Sequence, residues 1–372
     1  MKKTINECFF QIKNGANIKQ GLKNGGYPIT RIETISNDKF NRDKMGYAGI
    51  TDSSQYENYI LEDNDLLMSH INSPQYLGRT VLYKKVDDET IIHGMNLLRL
   101  KAIKEVNPGY ARYYFYGRNF RQQIAKITKK SVNQASFAVN DLKRIKIHLP
   151  DMEQQNNIVH KLDTVNQLID FYKQFLTNYD LLIKARFVEM FGDPATPGVK
   201  FKTCKLGKVA DVKSGHRVFT TEFVDEGVPF YRGTEIGVLA SGQQPEDPYR
   251  ISMEHYLKIA SDDSKPLRGD LLLPSICNKG QVWMVNTDEP FYYKDGRVLC
   301  ISPDRSVFDS RYLQFYMKMR TEAEYPKLGS GSTFAEFKIF QLKELEVDIP
   351  PMNAQKSFDL FVDQVDKSKF GD

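Results

Sequence analysis

One stretch of this chain occurs twice. LKRIKIHLPDMEQQ, Leu142 to Gln155, returns as LKELEVDIPPMNAQ, Leu342 to Gln355, with Leu, Lys, Pro, Met and the closing Gln in the same places. A repeat of this length restricts the chain to two similar folding units that end in the same local structure. Each copy alternates branched apolar residues (Ile145, Ile147, Leu149; Leu345, Val347, Ile349), which is the period of a half-buried strand, and Pro150 or Pro350-Pro351 then ends it. Beyond Pro150 the apolar residues fall at Ile158, Leu162, Val165, Ile169, Tyr172, Leu176, Tyr179 and Ile183. Unbroken steps of four and three predict a long helix with a coiled-coil seam, buried against a partner. The second copy opens the same seam with Phe358, Val362 and Val365, and the sequence ends at Asp372.

The repeat runs through most of the chain. IKNG (Ile12 to Gly15) matches VKSG (Val212 to Gly215), and GYPITRIETI (Gly26 to Ile35) matches GVPFYRGTEI (Gly227 to Ile236), each a turn leading into a strand. NDLLMS (Asn64 to Ser69) answers GDLLLPS (Gly269 to Ser275) as a strand ending in a polar loop. GYARYYFY (Gly109 to Tyr116) answers DSRYLQFY (Asp309 to Tyr316) in a predicted helix, and SVNQASF (Ser131 to Phe137) answers GSTFAEF (Gly331 to Phe337). The expected organisation is a first domain at 1–150, a helical spacer at 151–190, a Gly/Pro-containing linker at 191–200, a second domain at 201–350, and the start of a second helix at 351–372. The fold class is α/β, in the broad sense that includes α+β: two similar domains joined by a long helix.

A chain of 372 residues suits two ordinary domains and a connector. No apolar run reaches the length of a membrane span, and MKKTINECFF lacks the apolar core of a signal peptide, so a cytoplasmic protein is expected. Cys8, Cys204, Cys277 and Cys300 are scattered and read as buried free thiols, with no metal site expected. The charge is unevenly shared: residues 1–150 carry 24 basic against 14 acidic residues, and residues 151–372 carry 28 against 33. Within the basic half, Arg99 to Lys130 holds nine cations and one acid, Glu105, interleaved with aromatics, which reads as a phosphate-facing surface.

Two domains that each open with a K-x-G turn and a G-x-P strand with a nearby Arg, and end in a small-residue segment, an L-x-x-I-x-I-P strand, a trailing Gln and a helix, resemble the DNA-specificity subunit of type I restriction–modification systems. The resemblance spans the whole chain. It implies that each domain grips half of a split site on double-stranded DNA, that the two helices pair antiparallel as a spacer, and that the chain works with methyltransferase and restriction/translocase subunits. S-adenosylmethionine is then expected on the partner methyltransferase, with no cofactor on this chain. The family's small-residue segment is matched by Ser330, Gly331, Ser332 and Thr333, and more loosely by Lys130 to Gln134. The second helix stops well short of the first. Either the gene is cut short or the missing helix partner comes from elsewhere, self-association with a second copy being one source.

A bipartite site needs two reading heads at a fixed separation, and a helix of thirty-odd residues spans roughly 45 to 50 Å. Each head needs cations for phosphates and Arg, Asn, Gln, Ser or Thr for base edges. The candidates in the first head are Lys13, Lys19, Arg31, Asn72, Gln75, Arg79, Lys129, Lys130 and Gln134. In the second they are Lys213, Arg217, Arg232, Asn278, Lys279, Gln281, Ser332 and Thr333. Trp283 reads as core. The competing reading is a coiled-coil interaction module that binds protein and not DNA.

A catalytic reading has less to stand on. NPGY, Asn107 to Tyr110, resembles the Asn-Pro-Pro-Tyr/Phe motif of amino-methyltransferases, but its third residue is Gly109 and no Gly-rich cofactor loop precedes it. The residues 200 positions on, Val307 to Ser310, retain none of it, so a turn before a helix is expected. The histidines, among them His70, His93 and His160, are isolated, and Asp87-Asp88-Glu89 and Asp262-Asp263 read as exposed turns. No catalytic residue is expected.

Overall fold

The computed structural model describes residues 1–21, 24–131, 134–328 and 335–370, with the side chain of Phe370 outside the description. The chain divides into two units, Met1–Phe171 and Tyr172–Asp372. Among the described residues no helix is long and apolar enough to cross a membrane.

Each unit is built on an antiparallel four-stranded sheet with the same strand order. In the first unit the order is Phe9–Asn14, Leu97–Ala102, Leu66–Ser69, Thr80–Leu82; in the second it is Ala210–Ser214, Val298–Pro303, Leu271–Pro274, Trp283–Met284. Register matches as well, Leu66 opposing Leu100 and Leu271 opposing Ile301. The inner strands, Leu66–Ser69 and Leu97–Ala102 in the first unit and Leu271–Pro274 and Val298–Pro303 in the second, are largely apolar and buried on both faces, which is why they read as near-continuous apolar segments. Trp283 is buried in this setting, as expected. The second unit adds a second sheet, in which Val228–Tyr231 lies between Tyr249–Ile251 and Tyr292–Tyr293. Among the described residues of the first unit the same segment forms isolated bridges, Ile29 to Gly46 and Ile29 to Ile92, in place of a ladder. Left-handed glycines Gly25, Gly26 and Gly49 surround it and favour turns over ladders.

The repeated stretch is a short helix followed by a short strand. Val139–Arg144 and Ile339–Glu344 are helical, and Lys146–His148 and Glu346–Asp348 are the strands. Each strand pairs antiparallel with the first strand of its own unit, Lys3 opposing Ile147 and Cys204 opposing Val347. The trailing glutamines have a clear purpose. Gln155 is fully buried: its Oε1 accepts the Asn107 backbone N–H at 2.8 Å, and its Nε2 donates to the carbonyls of Glu105 and Pro150. Gln355, also fully buried, repeats the set with Asp309 N–H at 2.8 Å and the carbonyls of Val307 and Pro350. Asn107 and Asp309 in turn cap the helices Pro108–Tyr116 and Ser310–Glu324 with their side-chain oxygens. NPGY is therefore a helix start. Its counterpart lies 202 residues on and not 200, so the capping role is retained where the expected alignment found nothing.

The predicted long helix runs Met152–Phe191 as 40 continuous residues, roughly 60 Å at the α-helical rise. Its seam departs from expectation. Ile158, Leu162, Val165, Ile169, Tyr172 and Leu176 are 37 to 62% exposed, whereas Ile183 is buried and Tyr179 half-buried. Two facts account for this. The helix docks on the first unit through Asn156, Val159, Asp163, Asn166 and Asp170, the face one residue out of step with the seam: Asn107 reaches Asn156 at 2.8 Å, Tyr113 bonds Asp163 and Asn166, and Lys39 meets Asp170 at 2.9 Å. In the second unit, the Met352–Phe370 helix covers only the last turns, antiparallel to them: Phe358 meets Phe187 edge-on at 5.1 Å, and Lys369 pairs with Asp180 at 2.7 Å. Phe358, Val362 and Val365 are buried there with Ile183.

Candidate nucleic-acid interface

In the first unit the sheet Ile71–Asn72, Ala135–Ser136, Lys129–Lys130 gathers four of the nominated residues. Asn72 opposes Ala135, Lys130 opposes Ala135 from the other side, and Gln134 closes the turn, accepting the Ser131 N–H with its carbonyl. Both lysines are exposed, and as strand neighbours they lie on opposite faces. Gln75, exposed, and Arg79 follow in the next loop; Arg79 lies over the Tyr76 ring at 4.4 Å and pairs with Asp38 at 3.0 Å. Lys13 and Arg31 occupy other segments. Lys13 sits over Tyr59 at 4.6 Å, and its burial, with Arg99 and Lys101 nearby, lowers its pKa; Arg31 pairs with Glu33 at 3.2 Å, and Lys19 is exposed.

The basic run does not form one phosphate-facing surface. Arg99 is 2% exposed and donates to the carbonyls of Asn58 and Ile60 at 2.7 Å each, beside the buried Asp65 carboxylate. Arg121 caps the Leu77 carbonyl, and Lys101 pairs with Glu62. Buried acceptors need donors, and strand and helix periods send neighbouring residues to different faces. Lys104, Arg118, Lys126, Lys129 and Lys130 remain exposed. Glu89 likewise is no idle turn residue: it accepts from Arg42 Nε at 2.8 Å and Tyr83 Oη at 2.9 Å, and the Arg42 guanidinium brings its carboxyl down to about 2. Two histidines are not isolated: His216 meets Asp262 at 2.7 Å and His255 lies 3.5 Å from Glu222, while His93 is fully buried and desolvation drops its pKa to about 3.

In the second unit Arg232, Asn278 and Gln281 share a cleft of about 660 Å³. Arg232 begins the Gly233–Ala240 helix, donates to Glu235 from Nε at 3.1 Å and Nη2 at 2.7 Å, and lies over the Tyr249 ring at 4.5 Å. Burial would raise the Glu235 carboxyl, but Arg232 and backbone N–H groups bring it down to about 2. Arg31 is the counterpart of Arg232: its N–H meets Thr34 Oγ1 at 2.8 Å, as the Arg232 N–H meets Glu235 at 2.8 Å. Gln281 Oε1 accepts the Lys279 N–H at 3.0 Å, while Lys213, on its strand, and Arg217, over Phe219 at 5.3 Å, do not line the cleft. Ser332 and Thr333 lie outside the described residues. Sequence reasoning missed Lys294 and Arg297, which complete the cleft wall. Their signal is the turn KDGR, Lys294 to Arg297, between two apolar runs.

The sequence profile of the type I restriction modification DNA specificity domain matches residues 2–178 and again 198–370. The chain belongs to that family. It carries two type I DNA specificity domains, one in each half, and supplies the DNA specificity of a type I restriction–modification system. Among similar proteins, the MjaX type I restriction enzyme specificity subunit of Methanocaldococcus jannaschii is 28% identical, over 93% of this chain and 82% of its own length. The EcoKI specificity subunit of Escherichia coli K12 is 22% identical over 45% of this chain and 36% of its own. A chain from a solved type I restriction–modification assembly shares the fold of this specificity subunit, with a TM-score of 0.56 and 18% identity over 99% of this chain and 90% of that one.

Proposed function

We propose that the chain reads a split site on duplex DNA, one half with each specificity domain, while the Met152–Phe191 helix holds the two at a set spacing. The observation that carries this reading is that each unit presents its own polar cluster on the same scaffold: Asn72, Gln75, Arg79, Lys129, Lys130 and Gln134 in the first, Asn278, Lys279, Gln281 and the Arg232 cleft in the second. Lys13, Lys19, Arg31, Lys213 and Arg217 add phosphate contacts at the edges. A helix of 40 residues, roughly 60 Å, is long enough to bridge more than one turn of duplex DNA, about 34 to 36 Å.

The chain itself performs no bond-making chemistry in this reading. Methyltransferase subunits, carrying S-adenosylmethionine, and restriction/translocase subunits dock on it in the cytoplasm, and the exposed residues Ile158, Leu162, Val165, Ile169 and Leu176 are the surface they use. The competing interaction-module reading would give no DNA selection. Methylation mapping in cells expressing this chain with its partner subunits tests the proposal: modification at one split motif is expected, and methylation without a motif rejects it.

A further inference from the structure

The second unit's cleft differs from the matching place in the first, and the difference bears on which bases are read. The Lys294 N–H binds the Tyr231 carbonyl beside the Phe230–Tyr292 strand pair, and Gly94 holds the equivalent place, its N–H on Thr30 beside the Ile29–Ile92 bridge. Gly94 cannot carry a larger side chain: a Cβ there would meet the Thr30 carbonyl at 2.2 Å, with Gln20 Nε2 at 3.2 Å. In the first unit Gln20 packs beside Gly94, its Nε2 3.5 Å from the Thr30 carbonyl, whereas in the second unit Lys294 and Arg297 wall an open cleft.

Arg297 is oriented by its surroundings. Its Nη1 donates to Glu336 Oε2 at 2.7 Å, and Glu336 is fixed in turn by Lys338 and, at 3.5 Å, Ser275 Oγ. The backbone is pinned too, the Arg297 carbonyl accepting the Ser275 N–H at 2.9 Å and the Ser275 carbonyl the Phe337 N–H at 2.7 Å. Among the described residues Arg297 hydrogen-bonds through Nη1 alone, which leaves Nε and Nη2 as a planar pair of donors, and its side chain is 60% exposed. Arg232 contrasts with it, its Nε and Nη2 both being bonded to Glu235.

Resting on the DNA reading proposed above, we infer that Arg297, positioned by Glu336, reads the major-groove edge of a guanine in one half of the split site. Guanine offers the adjacent acceptors O6 and N7 that such a fork fits, and no other base presents that pair. A backbone phosphate is the weaker match. Glu336 offsets the charge that a phosphate contact would use, and the cleft is shared with the amides of Asn278 and Gln281, groups suited to base edges. Lys294, whose Nζ lies 3.7 Å from Asp295, lines the same cleft.

The test is selection of bound duplexes from a randomised pool by the full chain, Arg297→Ala and Arg297→Gln, followed by titration of the selected duplex with 7-deazaguanine at each guanine. The wild-type chain is expected to enrich a G:C pair in one half-site. Both variants lose that preference by on the order of tenfold or more and keep the other half-site. One 7-deazaguanine substitution weakens wild-type binding by a similar factor and leaves the variants unaffected; this arm does not depend on how well a variant folds. Unchanged preferences in the variants, an equal loss on every duplex as for a phosphate contact, or indifference of the wild-type chain to 7-deazaguanine overturns the assignment. A wild-type chain that enriches no sequence overturns the DNA reading itself.

Discussion

Gln155 and Gln355 make the same three hydrogen bonds in the two halves of the chain, each from a fully buried amide that joins a strand end, a helix cap and the start of the next helix. Replacing Gln355 by Leu leaves the Asp309 N–H and the Val307 and Pro350 carbonyls without a partner. A loss of about 2–4 kcal/mol is expected on that account. Urea denaturation of the full chain measures it, and a loss under about 0.5 kcal/mol would mean that water replaces the amide.

The buried and the exposed apolar positions of the two helices should differ in what they cost when changed. Phe358→Ala removes a buried ring packed on Phe187 and Phe191, and should cost about 3–5 kcal/mol. Ile169→Asp with Leu176→Asp alters side chains 45% and 42% exposed, so the isolated chain should lose less than about 1 kcal/mol. Co-purification with methyltransferase subunits should nonetheless fail for the double variant. Intact assembly would reject the exposed stripe as a docking surface.

Lys129→Ala with Lys130→Ala should weaken binding to cognate and scrambled duplexes alike. Neighbours on a strand face opposite ways, so about one phosphate contact is lost and the salt slope should fall by roughly one unit. A salt titration on both duplexes reads this directly. An unchanged slope removes the two lysines from the interface.

Acid should expose the Arg42–Glu89–Tyr83 cluster. Because Glu89 titrates at about 2 when folded, against an ordinary value of 4.5, the unfolded chain binds its proton first as pH falls. The stabilisation is whole above about pH 4.5 and drains away toward pH 2; about 3 kcal/mol by the size of the shift, it is reduced to roughly 2 kcal/mol by solvent screening at the partly exposed Arg42. Glu89→Gln should remove that part of the pH dependence. Parallel melting curves for the variant and the wild-type chain between pH 5 and pH 3 would count against it.

The repeat made the two-unit plan readable because central strands such as Leu66–Ser69 and Leu271–Pro274 announce themselves by composition, whereas the order of strands in each sheet is set by long-range pairing that no local run encodes. The long helix was readable for the same reason. Its docking face was not. Asn156, Asp163 and Asn166 owe their roles to Asn107 and Tyr113, some fifty residues away, and no pattern within the helix distinguishes them from solvated polar residues. Charge counting misled at Arg99 because a buried carboxylate and two carbonyls lie in the path of its guanidinium. Lys294 and Arg297 went unseen because only the folded loop brings them beside Asn278 and Gln281.

The pairing of each unit's first strand with its last, Lys2–Thr4 with Lys146–His148 and Thr203–Lys205 with Glu346–Asp348, has an evolutionary corollary. A head whose chain enters and leaves through adjoining strands can be lifted out, exchanged for a foreign one, or reordered with little disturbance to what lies beyond. The repeated stretch at each exit, from Leu142 and from Leu342, gives both halves the same closing sequence. Exchange of the residues between one such pair of strands would leave the strand pairing of the other unit intact.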